Sequence, residues 1–158
     1  MFPAMLLAAA CGCSGGAQQS APAVNQAAIS AAIDSANATF AAAAAAHDTA
    51  AVVACYAADA HFLPPNAPRA DGKDAIQRAW AGMLAMPGVK VTMQSNTKIV
   101  SEAGDLVIDL GSYDMTAPAP KGKSMHDVGK YATTFKRMNW AWKIIVDTFN
   151  SDMRPPGM

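Results

Sequence analysis

The sequence predicts an α+β domain: three helices in the first half, packed into the concave face of a curved antiparallel sheet that the second half builds. The result is a cone-shaped half-barrel, closed at one end and open at the other. Three observations predict it. Apolar residues recur at helical spacing between residues 26 and 84, and extended alternation takes over after Val89. Pro64-Pro65 and Pro87-Gly88 then punctuate the chain where an element must stop.

Taken in order, Ile29, Ile33, Ala36, Phe40 and Ala44 fall on one side of a stretch of strong helix formers, which predicts a helix over 26–46. Asp48 offers a carboxylate to cap a second helix with Val52, Val53 and Tyr56 on its apolar face. A short extended piece, His61-Phe62-Leu63, ends at Pro64-Pro65, since proline cannot donate to a ladder. Asp71-Gly72 opens a third helix with Ile76, Trp80, Met83 and Leu84 on one side, and Pro87-Gly88 stops it. Strands follow over 89–100, 106–116, 125–138 and 141–150, with a turn at 102–105 and one substantial loop, Ala117 to Lys123. Helices and meander can both bury their apolar faces only if the helices fill one concave side of the sheet.

The size of the chain suits one domain. Its twelve basic and twelve acidic side chains cancel without any block of like charge, so no electrostatic footprint for nucleic acid exists. No apolar run reaches the roughly 18 residues that would span a bilayer. A link to a membrane would therefore come through a lipid or a partner.

Such a link is legible at the start. No charged residue occurs from Met1 to Ile33, and Met5-Leu6-Leu7-Ala8-Ala9-Ala10 is a short apolar block ending on Cys11. It resembles a bacterial lipoprotein signal, in which small residues admit the peptidase and the cysteine thiol carries acyl chains. No Lys or Arg precedes the block, and Ala8 stands where such signals usually carry leucine. Cys13 is the alternative site. The Gly/Ser/Gln/Ala/Pro-rich stretch from Gly12 to Pro22 reads as a flexible tether. The expected organisation is signal and tether over 1–23, one domain over 24–152 and a tail over 153–158, in an exported protein that is periplasmic or membrane-anchored. Within the domain Cys55 is the single cysteine, so no internal disulfide can form, and it reads as a small buried apolar residue.

A family resemblance lies in four stretches. These are Cys55-Tyr56-Ala57-Ala58-Asp59-Ala60-His61-Phe62-Leu63-Pro64-Pro65; Asp71-Gly72-Lys73-Asp74-Ala75-Ile76 with Trp80; Gly129-Lys130-Tyr131; and Trp142-Lys143-Ile144 with Asp147 and Asn150-Ser151-Asp152. Together they resemble the nuclear transport factor 2-like superfamily, which includes SnoaL-like cyclases and ketosteroid isomerases. The closing Asn-Ser-Asp is most similar to a branch found in exported bacterial proteins. The resemblance implies a cystatin-like cone around a pocket, and a homodimer through the sheet. It implies no chemistry, because the fold hosts isomerases, cyclases, dehydratases and assembly domains. Aligned with the ketosteroid isomerases, the position of the base falls on Pro64, that of the first-helix tyrosine on Phe40 and that of the second acid near Thr133. Neither Pro64 nor Phe40 can take a proton, so steroid isomerisation by that machinery is not expected.

His47, His61 and His126 have no metal-ligand spacing, and neither metal nor cofactor is expected. In the strand over 125–138, Asp127, Gly129, Tyr131, Thr133 and Phe135 share the face expected to meet the helices. In the last strand Trp142, Ile144, Val146, Thr148 and Asn150 oppose Lys143, Ile145, Asp147 and Phe149, with apolar residues on both sides. Charges within strands, Asp127, Lys130 and Asp147, are either ion pairs on a wet or interfacial face or groups at a pocket. Candidate pocket residues are Tyr56, His61, Phe62, Trp80 and Met83 from the first half. The sheet adds Tyr113, Tyr131, Asp147 and Asn150. Asp147, His61 and Asp127 are the candidates for acid or base work. Three functional readings follow: a module binding a small apolar or amphipathic molecule, a metal-independent isomerase, cyclase or lyase, and a dimeric assembly domain without ligand.

Overall fold

A computed structural model describes residues 24–86, 88–119 and 123–153. The cysteine and tether expected before Val24, and the tail beyond Met153, lie outside them. Helix α1 (Gln26–Ala45) starts at Asn25, whose side chain accepts the Ala28 N–H at 3.0 Å, and buries Ile29, Ile33, Phe40, Ala43 and Ala44. Helix α2 (Thr49–Ala54) is capped by Asp48, which accepts from the Ala51 N–H at 2.9 Å. Next come β1 (Tyr56–Leu63), the two-residue β2 (Ala70–Asp71) and α3 (Gly72–Leu84), then β3 (Lys90–Val100), β4 (Leu106–Ala119), β5 (Lys123–Met138) and β6 (Ala141–Ser151). Gly72, at φ 74°, permits the sharp entry into α3 that a β-carbon would oppose.

The strands lie in the order β2-β1-β6-β5-β4-β3. From β3 to β6 they form an antiparallel meander, as expected, but β1 joins β6 in parallel, with Phe62 beside Asp147. Two further expectations change. Tyr56 is not on the second helix: the Cys55 carbonyl accepts the Ile144 N–H at 3.0 Å, which draws the chain into an eight-residue strand that begins at Tyr56. The long loop at 117–123 shrinks, because β4 and β5 stay paired out to Ala119 and Lys123. Since β3 ends opposite Thr116, β4 is an edge beyond that point, where Pro118 is tolerated.

Bulges curve the sheet. Asn96 is the extra residue between β3 and β4, and Ile145 the extra one between β5 and β6. The second explains the ambiguous pattern of the last strand, for the bulge shifts the alternation so that Ile144 and Asp147 are both buried. The concave side carries a core in which Ile33, Val52, Tyr56, Phe62, Ile76 and Val107 are fully buried.

Candidate functional site

Among the described residues the buried polar or charged side chains are Asp109, Thr133 and Asp147. They stand in one row across the concave face, since Thr133 opposes Asp109 on β4 and Asp147 on β6. Opposed side chains on one face lie about 5 Å apart, so the row is a continuous polar seam in an otherwise apolar wall. Thr133 donates to Asp147 Oδ1 at 3.0 Å, and the Tyr56 hydroxyl donates to Oδ2 at 2.5 Å. Behind them the Trp80 indole N–H donates to the Tyr56 oxygen at 2.9 Å. Among the described residues, no Lys, Arg or His pairs with Asp147. Burial pushes its carboxyl above the usual range, with the hydrogen bonds from Tyr56 and Thr133 opposing the rise. Burial, then the neighbouring Asp147, pushes the Tyr56 hydroxyl well up.

Two tyrosines complete the wall, and each lies over a glycine. Tyr131 opposes Gly111, and Tyr113 opposes Gly129. A β-carbon on Gly111 would stand 2.4 Å from the Tyr131 ring, and one on Gly129 2.6 Å from that of Tyr113. The missing side chains therefore let both rings lie flat against the strands. The Tyr131 hydroxyl reaches Asp109 Oδ2 at 3.1 Å, where Asn37 also donates at 2.8 Å, while Ser95 donates to Oδ1 at 2.5 Å. Tyr113 reaches the other way, donating to Asp127 at 2.8 Å, and Ser151 donates to the same carboxylate. Burial first, then the adjoining carboxylate, raises both tyrosine hydroxyls.

Between wall and helices is a cavity of about 60 Å³. Phe40, Trp80, Met83 and Leu84 line its helical side, and Val89, just before β3, with Val91, Met93 and Met115 line its far side; Tyr113, Tyr131, Asp147 and Phe149 complete it. Phe62 stacks between Trp80 and Phe149, at centroid distances of 5.6 and 6.0 Å, and so fixes two rings of the lining from behind.

Of the residues singled out in the sequence, Trp80, Met83, Tyr113, Tyr131 and Asp147 meet at this cavity, with Tyr56 and Phe62 buried behind it. His61 and Asn150 do not. Phe62 points inward, so His61 alternates outward, where its Nδ1 lies 2.6 Å from Asp71 Oδ1 and the pair is half exposed. Asn150 is exposed, opposite Lys130. Asp127 is half buried beneath Tyr113, and Lys130 pairs with Asp152 at the surface. The position aligned with a base, Pro64, does not line the cavity, whereas Phe40 does. Asp109 is not among the sequence candidates, although the alternation of Val107, Asp109, Gly111 and Tyr113 along one face of β4 marks it.

The model of the SnoaL-like domain family matches residues 37–139. None of the curated proteins matches the chain. Among solved structures, a ketosteroid isomerase-like protein from Erwinia carotovora atroseptica superposes with a TM-score of 0.69 at 17% identity, over 78% of this chain and 96% of that one. An ntf2-like protein with a cystatin-like fold from Novosphingobium aromaticivorans gives 0.69 at 16%, over 83% and 86%. A hexachlorocyclohexane dehydrochlorinase gives 0.71 at 14%, over 84% and 97%. Likeness at this level of identity establishes the nuclear transport factor 2-like fold.

Proposed function

We propose, from the premise that this chain belongs to the SnoaL-like domain family, that it is a binding module for a small apolar molecule. The observation that carries this reading is the cavity itself, a recess lined by aromatic rings and three methionines with one carboxyl group in its wall. Xenon and short alkanes, probes on the scale of a recess of about 60 Å³ and followed through the Trp80 indole resonance, test it. Saturable shifts are expected, and Met93→Trp, which fills the recess, should abolish them. Absence of saturable binding by every probe, or indifference to Met93→Trp, would overturn the reading.

A second reading is favoured by one observation. Asp147 is a buried acid whose carboxyl desolvation pushes above its usual range, the direction in which a carboxylate becomes a stronger base. On this reading the protein catalyses a metal-independent isomerisation, cyclisation or elimination, with Asp147 taking the proton. Turnover of a carbon acid, lost in Asp147→Asn, would establish it. The site differs from a steroid isomerase in having Phe40 in the lining and no acid at Pro64, so steroid enones should pass unchanged.

We also carry forward, from the sequence alone, an exported protein anchored by a lipid on Cys11 and paired with a second copy through the outer face of the sheet. Radiolabelled palmitate incorporated by the intact chain and lost in Cys11→Ala tests the anchor. Sedimentation equilibrium at micromolar concentration tests the pairing.

A further inference from the structure

The turn between β5 and β6 holds a residue that its backbone disfavours. Met138 pairs with Ala141, which leaves Asn139 and Trp140 as a two-residue loop at φ 46° and 68°. Both positions are left-handed, and in such hairpins the second is the usual place for glycine, because a bulky side chain is strained there. Here it carries tryptophan, and that residue is 96% exposed. At that exposure the indole packs on nothing among the described residues that would offset the strain.

The hairpin tip is also basic. Lys136, Arg137 and Lys143 flank the turn, and no acid occurs between Lys136 and Lys143. The two lysines stand directly opposite each other across the ladder, where like charges repel. Among the described residues none of the three cations forms an ion pair, and Lys143 donates instead to the Ala54 carbonyl at 2.7 Å. The adjoining turn carries Glu102 and Asp105, the latter accepting from Ser101 at 2.9 Å. Met138, beside the indole, is 39% exposed.

The domain begins at this same end, for Val24 and Ile29 share a groove with Arg137 and Trp142. Twelve residues lie between Cys11 and Val24, a reach of at most about 45 Å. The anchor proposed on Cys11 would therefore keep a bilayer within that distance of the hairpin. A tryptophan side chain has an apolar body and a polar N–H and settles at the level of lipid headgroups, while nearby cations are drawn to anionic lipid.

We propose that the β5–β6 hairpin is a membrane-docking finger, which seats Trp140 in the headgroup layer of an anionic phospholipid surface with Lys136, Arg137 and Lys143 on lipid phosphates. The contact is peripheral and independent of what the cavity binds. It accounts for the tryptophan in the turn: the residue costs the fold something and serves a surface outside it.

The test uses the full chain carrying Cys11→Ala and Cys13→Ala, so that no acyl chain at either site contributes. Vesicles of phosphatidylcholine are compared with vesicles containing about 30% phosphatidylglycerol, by cosedimentation and by tryptophan emission. Binding to the anionic vesicles is expected to be at least about tenfold tighter, to shift the emission to the blue and to weaken as salt is added. In that background Trp140→Gly should lower vesicle affinity about tenfold while raising the thermal midpoint by about 2–4 °C, because glycine relieves the turn. Lys136→Gln with Lys143→Gln should remove most of the preference for anionic lipid. Unchanged vesicle binding in Trp140→Gly would overturn the proposal, as would equal binding to both kinds of vesicle. A lowered midpoint in Trp140→Gly would make the indole a structural part of the turn and count against it. Loss of a dimer in sedimentation on Trp140→Gly, with vesicle binding untouched, would assign the tip to a second copy and overturn the proposal too.

Discussion

Tyr56 and Asp147, 91 positions apart, meet with 2.5 Å between the hydroxyl oxygen and Oδ2, and the contact closes the floor of the cone between β1 and β6. Tyr56 serves twice, because its oxygen also accepts the Trp80 N–H. Tyr56→Phe would leave that indole without a partner and Asp147 with one hydrogen bond fewer. Loss of such buried bonds is worth about 1–3 kcal/mol, and we expect a destabilisation of that order in urea unfolding. A change below about 0.5 kcal/mol would mean that water replaces both bonds.

The raised Asp147 carboxyl has a consequence for pH. A group that holds its proton more firmly in the folded state than in the unfolded one binds more protons when folded, so stability falls as pH rises through the window between the two values. That window opens at the ordinary value of 3.8 and extends upward. Asp71 acts in the opposite sense, since the hydrogen bond from His61 lowers it, so the whole-protein curve mixes the two. The difference between unmodified protein and Asp147→Asn isolates the effect: the unmodified protein should lose ground to the variant as pH climbs from about 4. A difference that is flat in pH would show that Asp147 titrates alike in both states.

Two glycines should respond oppositely to the same substitution. A β-carbon on Gly129 would meet the Asn150 carbonyl oxygen at 2.2 Å and the Tyr113 ring at 2.6 Å, so backbone and ring must both move. Overpacking of this kind costs about 1–3 kcal/mol, and the displaced ring should shrink the cavity. Gly82 lies on the exposed face of α3 with nothing within 4 Å of such a carbon. Gly82→Ala should therefore stabilise by about 0.5–1 kcal/mol through helix propensity. Thermal unfolding of the two variants side by side would show the contrast, and equal effects would contradict it.

Much of this architecture is written locally, and the parts that were not legible are those that depend on distant partners. The helix faces of Ile33, Phe40, Ile76 and Trp80 follow from spacing alone. So does the inward row of Tyr131, Thr133 and Phe135, which strict alternation puts on one side. The local context of Tyr56 continues a helix, and only pairing with β6 makes it the first residue of a strand. The inward turn of Asp147 depends on the Ile145 bulge, which exists as a mismatch of register between two strands and leaves no mark in one strand's composition. His61 shows the limit of choosing candidates by chemistry, for a histidine in a strand is as readily a surface partner of Asp71 as a pocket group.

The last prediction concerns Asp109 on β4, which ties α1 to the sheet and joins β3 and β5 by accepting from Asn37, Ser95 and Tyr131. Asn37 and Ser95 are only partly buried and can turn to water, whereas Tyr131 is buried. Asp109→Asn keeps an oxygen for two of the donors, and the Ser95 hydroxyl can turn to accept from the new amide, so a loss of about 1 kcal/mol is expected. Asp109→Leu removes every acceptor and should cost about 3 kcal/mol in urea unfolding. Equal losses in the two variants would show that the Tyr131, Asn37 and Ser95 donors do not depend on the Asp109 oxygens.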